Sequence, residues 1–295
     1  MPVTPKSKAI DISRVLERVI GPDRFPVDVR SVALEWSLQT CPDERILDIK
    51  SVSLPSFEGM LVKSPKGDGW VIGVNEDVTS EGRVRFTIAH EFGHYMLHRE
   101  RQSRFNCSNQ DMHSWDLDGR RIEVEADTFA SYLLMPLNDF RAQIDGQAFS
   151  IDLLRHCADR YGVSVTAAAL KWREVAPGRV IVMSVKEGFL DWSCSNARAF
   201  RSGAYFATRK ETIELPAASI LNHAARARVG QSGLISANVW LPREPAEIEI
   251  EEHAFVIEGN DYNYTLGVLI LPEAAAHPID EDVLLSPING IPSFR

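Results

Sequence analysis

Residues 90–94 read HEFGH, two histidines that flank a glutamate and lie four positions apart. On an α-helix, positions i and i+4 lie on the same face, so His90 and His94 can both reach one metal ion. Glu91 follows the first histidine and lies close enough to accept a proton from a water at that metal without being a ligand itself. The pattern therefore predicts a zinc hydrolase with Glu91 as its general base.

A downstream segment, residues 121–136, reads RIEVEADTFASYLLMP and offers a third ligand. Catalytic zinc needs three protein ligands and one open position for water. Glu123 and Asp127 share a helical face beside an apolar stripe, where a carboxylate without a partner would be costly to bury. We expect Glu123 to bind the metal and Asp127 to accept the free ring N–H of a ligating histidine. Glu125, which projects to another side of the helix, is the rival third ligand.

Four longer runs surround or precede these residues: FPVDVRSVALEW at 25–36, GWVIGVNEDV at 69–78, RVRFTIAHEFGHYMLH at 83–98 and EVEADTFASYLLMP at 123–136. The last two runs resemble the ImmA/IrrE family of bacterial and phage metallo-endopeptidases. The first two resemble that family's lead-in, which is a short helix followed by a strand that ends in Val-Asn. The resemblance spans roughly residues 25–174, which is about half of the chain.

The resemblance implies a zincin-like fold and a gluzincin-type site in which His90, His94 and Glu123 bind Zn²⁺, or Mn²⁺ in the cell. It also implies that Glu91 is the general base. Characterised members of the family cleave helix-turn-helix repressors of the Xre/cI type and thereby switch on stress-response or mobile-element genes. The partner implied for this chain is therefore a protein substrate, an Xre-family repressor.

The chain is expected to be of the α+β class and to have three regions. Residues 1–145 are predicted to form the zincin-like metallopeptidase domain, and residues 146–176 a helical hairpin that resembles a helix-turn-helix. Residues 177–295 are predicted to form a second, smaller α+β domain that regulates the protease or docks its substrate. Some ImmA/IrrE proteins carry a GAF-like sensor domain after the protease, and domain order by analogy places one here.

Periodicity and turn residues predict the individual elements. The segments around the two motifs are predicted to be helices, with Thr79 or Ser80 as the cap of the first and Pro136 as the end of the second. Residues 105–120 are predicted to be a loop between them. The other predicted helices are 10–19, 27–38, 151–160, 165–173 and 215–229. The predicted strands are 46–52, 59–63, 70–74, 179–185 and 247–251, with a hairpin of 253–257 and 262–271.

Composition and charge restrict the class of protein further. The chain has 295 residues, a net charge of −9 and ordinary globular hydrophobicity, without the basic surface that DNA-gripping proteins usually show. The N-terminal residues lack a long apolar core, and no apolar run reaches the eighteen residues typical of a membrane span. The four cysteines form no CxxC pair and are expected to be reduced thiols. These features predict a cytoplasmic protein without a membrane partner.

The predicted hairpin, residues 151–174, raises a second class of function. Its second helix is mostly apolar, whereas a recognition helix needs polar groups at its N-terminal end to read base edges. Direct DNA binding is therefore not the favoured interpretation. The alternative is a DNA-binding transcriptional regulator, or a toxin–antitoxin partner module, in which the zinc-protease fold is structural or silent.

Several other polar residues lie near the motifs. His98 continues the i, i+4 series, but a straight helix does not bring three successive turns to one metal, so we expect it to support the site or the fold. Tyr95, Tyr132 and His113 are candidate donors to a developing oxyanion, with packing or surface exposure as the favoured interpretation. Three arginines after the first motif are interpreted as favourable charge at a helix C-terminus, and the alternative is a local contact for an acidic substrate or nucleic acid. They are Arg99, Arg101 and Arg104.

Overall fold

The structure is a computed structural model that describes residues 4–107, 117–222, 230–258 and 263–273. These residues form a mixture of helices and strands, which confirms the predicted α+β class. They divide into two compact units. The first contains the described parts of Met1–Gln147 and Arg155–Val165, and the second contains those of Ala148–Leu154 and Thr166–Ser293. The division passes through the predicted helical hairpin at 146–176.

The helices of the first unit surround the segment that carries HEFGH. They are α1 (Pro5–Val19), α2 (Val29–Thr40), α3 (Glu81–His98), α4 (Leu117–Leu134), α5 (Leu137–Ile144) and α6 (Ile151–Tyr161), of which the first four residues of α6 belong to the second unit. Side chains cap several of these helices. The Asp28 carboxylate, for example, accepts the backbone N–H of Ser31 at the start of α2. Pro136 follows the end of α4 and is the N-cap of α5.

The strands of the first unit form one mixed sheet. They are β1 (Ile46–Val52), β2 (Gly59–Lys63), β3 (Trp70–Asn75) and β4 (Arg104–Cys107), in the order β1-β3-β2-β4. The pair β1 and β3 is parallel, and β2 is antiparallel to both β3 and β4. The Asn75 amide donates to the carbonyls of Leu54 and Phe57, which fixes the connection that leads into β2.

Helix α3 is almost fully enclosed. Ten consecutive residues, Phe86–Tyr95, are buried, and the helix packs against β2, β3 and α4. A helix that is buried on every side must have apolar or internally partnered polar residues on every side. The histidines and glutamate of HEFGH therefore lie inside the first unit, where each polar group needs a specific partner.

The second unit is built on an antiparallel sheet. Its strands are β5 (Arg179–Lys186), β6 (Phe189–Ser195), β7 (Gln231–Ser236), β8 (Glu249–Glu258) and β9 (Asn263–Leu271), in the order β6-β5-β9-β8-β7. Most of helix α7 (Val165–Val175) and the short helices α8 (Ala197–Arg201) and α9 (Ala237–Trp240) belong to this unit. Its apolar core includes Ile181, Met183, Trp240 and Leu269.

Most predicted elements are confirmed, and three are wrong in part. The predicted loop 105–120 begins with strand β4 and ends with the first turn of α4, and its central part, including His113, lies outside the described residues. Residues 215–222 form turns and a short 3₁₀ segment rather than a helix, and 223–229 are not described. The two predicted strands at 247–257 are one strand, β8. It forms the predicted hairpin with β9.

Among the described residues, no helix combines the length and the apolar character that crossing a membrane requires.

Candidate metal centre

Helices α3 and α4 bring three ligand-type side chains together. The Nε2 atoms of His90 and His94 lie 3.0 Å apart. The Glu123 carboxylate lies between them, with Oε2 3.2 Å from His90 Nε2 and Oε1 3.3 Å from His94 Nε2. All three residues are buried, and in the described part of the chain they are the one group identified as able to hold a metal ion.

The spacing of these atoms fits a tetrahedral zinc site. Ligand atoms about 2.0–2.1 Å from a tetrahedral zinc lie about 3.3 Å from one another. The three measured separations, 3.0, 3.2 and 3.3 Å, are close to that value. Two imidazoles and one carboxylate are also a donor set that catalytic zinc uses. Zn²⁺ therefore fits the residues present, both by distance and by chemistry.

Asp127 orients the first histidine. Its Oδ1 atom lies 2.8 Å from His90 Nδ1, and both groups are buried. A carboxylate can only accept a hydrogen bond, so Nδ1 of His90 carries the proton. In the neutral ring, Nε2 then presents its lone pair to the space shared with His94 and Glu123. The structure thus places Asp127 where the sequence predicts an orienting carboxylate.

The second histidine has a different partner. His94 Nδ1 lies 3.1 Å from His98 Nδ1, and His98 Nε2 lies 3.0 Å from Glu125 Oε2. Glu125 also accepts from Arg121 Nε at 3.0 Å. His98 therefore contacts the side of His94 that faces away from Glu123. This arrangement separates the two rival glutamates, because Glu123 faces both histidines of the motif and Glu125 faces His98.

The electrostatics of the cluster favour neutral imidazoles and an ionised carboxylate. Burial lowers the pKa of His94, and burial lowers that of His98 to about 4 although the Glu125 carboxylate opposes this shift. Burial would raise the pKa of Glu123, but the close approach of the His90 and His94 rings outweighs burial and holds this pKa well below its usual range. Metal ligands must be deprotonated, and these directions supply that state for His94 and Glu123 at neutral pH.

Gly93, inside the HEFGH segment, sets the distance between the two helices. A Cβ atom at this position would lie 3.1 Å from both Cα and the carbonyl oxygen of Ala126 and 3.2 Å from Phe129 Cδ1. These contacts are tighter than ordinary packing, and two of them are to backbone atoms. The absence of a side chain at Gly93 therefore allows α4 to approach α3 closely enough for Glu123 to reach the histidines.

We expect Gly93→Leu to lower the free energy of unfolding by about 1–3 kcal/mol, which is the usual cost of overpacking. It should also weaken zinc binding, since α4 and Glu123 would be displaced from α3. Urea unfolding and zinc titration measure the two effects. Gln39→Leu, at an exposed position of α2, is the matched control. A Gly93→Leu protein with the stability and zinc affinity of the control would contradict this account of the helix contact.

A second glycine, Gly59 at the start of β2, lies against Glu91. A Cβ atom on Gly59 would lie 2.5 Å from Glu91 Oε1 and 2.5 Å from Thr87 Cγ2. Glu91 is itself fully buried, so its carboxylate has little room to move away. The bare backbone of Gly59 thus forms one wall of the space that holds Glu91.

For the zinc-hydrolase activity that the sequence predicts, we expect Gly59→Ala to retain zinc but to lose activity by about tenfold or more, because a displacement of about 1 Å at a catalytic group can cost up to 100-fold. Inductively coupled plasma analysis measures the zinc content, and kcat/KM on a cleaved substrate measures activity. Gly233→Ala is the control, since Gly233 also lies in a strand and has its nearest neighbour at 4.0 Å. Equal activity of the two variants would show that Gly59 does not position Glu91.

Other candidates from the sequence lie elsewhere. The Tyr95 hydroxyl donates to the Glu44 carbonyl at 3.1 Å within the core, and Tyr132 lies under the Lys6 ammonium. Arg99 donates to the Tyr95 carbonyl, which supports the helix C-terminus interpretation. These contacts of the two tyrosines are to residues outside the candidate ligand set.

Sequence reasoning missed one aromatic contact of the site. The Phe105 ring stacks on His94, with centroids 4.7 Å apart and an interplanar angle of 24°. Phe105 lies in β4, and the polar segment after it led to the prediction of a loop. The alternation of Arg104, Phe105 and Asn106 was the available signal for a strand, but three residues are too few to decide between strand and loop.

Comparison with known families identifies the segment that contains this cluster. Residues 47–173 match the family model Peptidase_M78, described as the IrrE N-terminal-like domain. This range includes all of the sheet except Ile46, together with α3, α4 and all five candidate site residues. Among curated proteins, none matches the chain.

Proposed function

We propose that the chain is a zinc-dependent endopeptidase of the ImmA/IrrE family that cleaves a helix-turn-helix repressor of the Xre/cI type, because residues 47–173 match the model of the IrrE N-terminal-like domain. One observation carries the zinc-peptidase part of the proposal. His90, His94 and Glu123 converge inside this domain at zinc-ligand spacing, and Glu91 lies next to them in the same buried helix.

In the proposed reaction, His90, His94 and Glu123 hold zinc through two imidazole nitrogens and a carboxylate. When bound, zinc lowers the pKa of water and polarises a carbonyl group. Glu91 accepts the proton of the attacking water and then passes it to the leaving amine. Asp127 holds His90 in the ligating tautomer throughout, because its carboxylate accepts the Nδ1 proton.

The substrate part of the proposal rests on the family resemblance. Members that cleave Xre/cI-type repressors switch on stress-response or mobile-element genes, and we propose the same role here. Repressors of this kind act on DNA, which places the proposed reaction in the cytoplasm. The net charge of −9 supports a protein substrate over direct binding to nucleic acid.

We propose that the second unit regulates the peptidase or docks its substrate. A cavity of about 380 Å³ lies at one end of its sheet, with a volume in the range of small-molecule sites. Its apolar wall includes Val185, Leu215, Leu221 and Val256, and its polar groups include Lys186 and Thr265. A cavity with both kinds of lining supports a ligand-sensing role, in line with the GAF-like domain proposed from domain order.

The alternative, a regulator that binds DNA through the 151–174 hairpin, is less well supported. Six consecutive residues of α7, Ala167–Trp172, are buried. A recognition helix must present a free polar face to the major groove. Burial of the helix that would occupy the groove therefore supports the peptidase proposal over this alternative.

The deciding experiment is to incubate the zinc-loaded chain with each small helix-turn-helix protein encoded near its gene. Intact-mass spectrometry detects cleavage, and we expect one cut in one of these proteins. The Glu91→Gln variant, prepared in the same way, is the negative control. Failure of every candidate to be cut, with zinc fully bound, would contradict the proposed substrate class. Equal cleavage by the unaltered chain and by the Glu91→Gln variant would contradict the proposed site.

A further inference from the structure

The residues EVEAD at 123–127 alternate acidic and apolar side chains, and α4 uses all three carboxylates around the HEFGH helix. Glu123 lies at the two motif histidines, and Asp127 lies at His90 Nδ1. Glu125 lies at His98 Nε2. One helix segment thus supplies the acidic ligand of the candidate site and an acidic partner on each side of it.

We propose that His98 and Glu125 are positioning residues for His94, which the pair orients for metal binding through the chain Glu125–His98–His94. This chain is called the Glu125 relay below. The inference rests on the proposed function in taking His94 as a metal ligand. Neither His98 nor Glu125 is proposed as a ligand or a catalytic group. Their assigned effect is to orient the ring of His94.

Hydrogen-bond chemistry fixes the direction of the relay. The Glu125 carboxylate only accepts, so His98 Nε2 at 3.0 Å must be the donor. His94 can bind metal through Nε2 only if that atom is bare and the proton of the ring is on Nδ1. That proton then points at His98 Nδ1, 3.1 Å away, which must be the acceptor. The observed distances therefore allow one consistent arrangement of protons when His94 is a ligand.

Because the histidines of the relay are buried, the loss of one of their hydrogen-bond partners cannot be compensated by solvent. His94 and His98 are both fully buried, so no water can replace either partner without a cavity. The Glu125 side chain is 23% exposed, and Arg121, which donates to it, is 72% exposed. The relay thus extends from the buried metal ligand to the surface of the first unit. It ends at a carboxylate whose position Arg121 fixes.

The two histidine ligands are held in different ways, and this explains why a third histidine follows the motif. His90 meets its carboxylate directly, at 2.8 Å. His94 lies one turn further along α3, and His98, a turn beyond it, fills the space between its ring and Glu125. Each of the two histidines is thereby linked by hydrogen bonds to a carboxylate of α4, His90 directly and His94 through His98. Such partners typically change metal affinity by about 10- to 100-fold when they are removed.

The test measures zinc affinity by competition with a chromogenic chelator. We expect His98→Phe, which keeps a ring but removes both nitrogens, to weaken zinc binding by about 10- to 100-fold. Glu125→Gln should weaken it by about tenfold, because the relay loses its charged acceptor. His156→Phe is the matched control, since His156 is exposed and contacts Gln143 instead. Affinities of both relay variants equal to that of the control would overturn the proposal.

A double-mutant cycle separates the relay from a general structural effect. Glu125 acts on His94 only through His98, so Glu125→Gln should add no more than about twofold in a His98→Phe background. If Glu125→Gln weakened zinc binding by the full tenfold in the His98→Phe protein as well, the relay would be overturned. Glu125→Gln changes a partly exposed side chain without changing its size, so it keeps the test valid even if His98→Phe does not fold.

A second readout needs neither metal nor activity. In metal-free protein, the ¹⁵N chemical shifts of the His94 ring should show the proton on Nδ1, and His98→Phe should shift it toward Nε2. A proton on Nε2 in the unaltered chain would overturn the relay. If the relay variants lose affinity as expected and the unaltered chain cuts no repressor, only the proposed substrate fails. If it cuts one and the variants bind zinc normally, only the relay fails.

Discussion

Glu91→Gln should keep its zinc and lose about 10²–10⁴-fold in kcat/KM, the usual contribution of a general base. Glutamine has nearly the same size and shape, so it fits the space against Gly59 and Thr87, but it cannot accept the proton of the attacking water. The proposed zinc ligands His90, His94 and Glu123 are unchanged. Metal content is measured by plasma spectrometry, and cleavage by the rate at which the cut product of the proposed repressor substrate accumulates.

Two comparisons make this result specific. Glu100→Gln, at an exposed position near the end of α3, should leave both metal content and cleavage unchanged. Glu91→Asp should recover little activity, because a shorter side chain withdraws the carboxylate from its position. Cleavage by Glu91→Gln at the rate of the Glu100→Gln protein would exclude Glu91 as the base.

Loss of the metal is the second large effect, and Glu123→Ala should produce it. The variant removes one of the three proposed ligands, and we expect zinc affinity to fall by about 100-fold or more, beyond the range seen for residues that only orient ligands. The two histidines remain close together without the carboxylate that holds them. Chelator competition measures the affinity directly.

Thermal unfolding gives an independent measure of the same loss. A ligand at 100 times its dissociation constant stabilises the folded state by about 2.7 kcal/mol. Zinc should therefore raise the melting temperature of the unaltered chain and of Glu100→Ala but not that of Glu123→Ala. A Glu123→Ala protein with an undiminished zinc-dependent rise would show that the third ligand is another group.

Much of the centre could be predicted from residue types and their spacing. The i, i+4 histidines must share a helical face, and Glu123 with Asp127 repeats that spacing on a second apolar helix. Short runs of strand-type residues next to turn residues also predicted β1 and β2 with their observed bounds. These predictions succeed because they concern residues close in sequence, whose relative positions follow from the geometry of a single helix or strand.

The predictions that failed concern segments whose structure depends on distant partners. Strand β4 has four residues and exists because it pairs with β2, so its own sequence carries little periodicity. Residues 215–222 are rich enough in apolar groups to suggest a helix. Instead, the buried carboxylate of Glu252 accepts hydrogen bonds from Ser219 and from the backbone of Ile220, which holds a turn there.

By itself, the sequence determined a helix with two histidines on one face, a second acidic helix, and a segment that matches a metallopeptidase family model. Only the tertiary structure decided which glutamate contacts the histidines. Glu123 and Glu125 project from different sides of α4, and the packing of α3 determines which of these sides faces the histidines. The same packing turned His98 into a partner of His94 and Gly59 into a wall beside Glu91. Spacing along one element is local, whereas the choice among partners depends on how closely two elements approach.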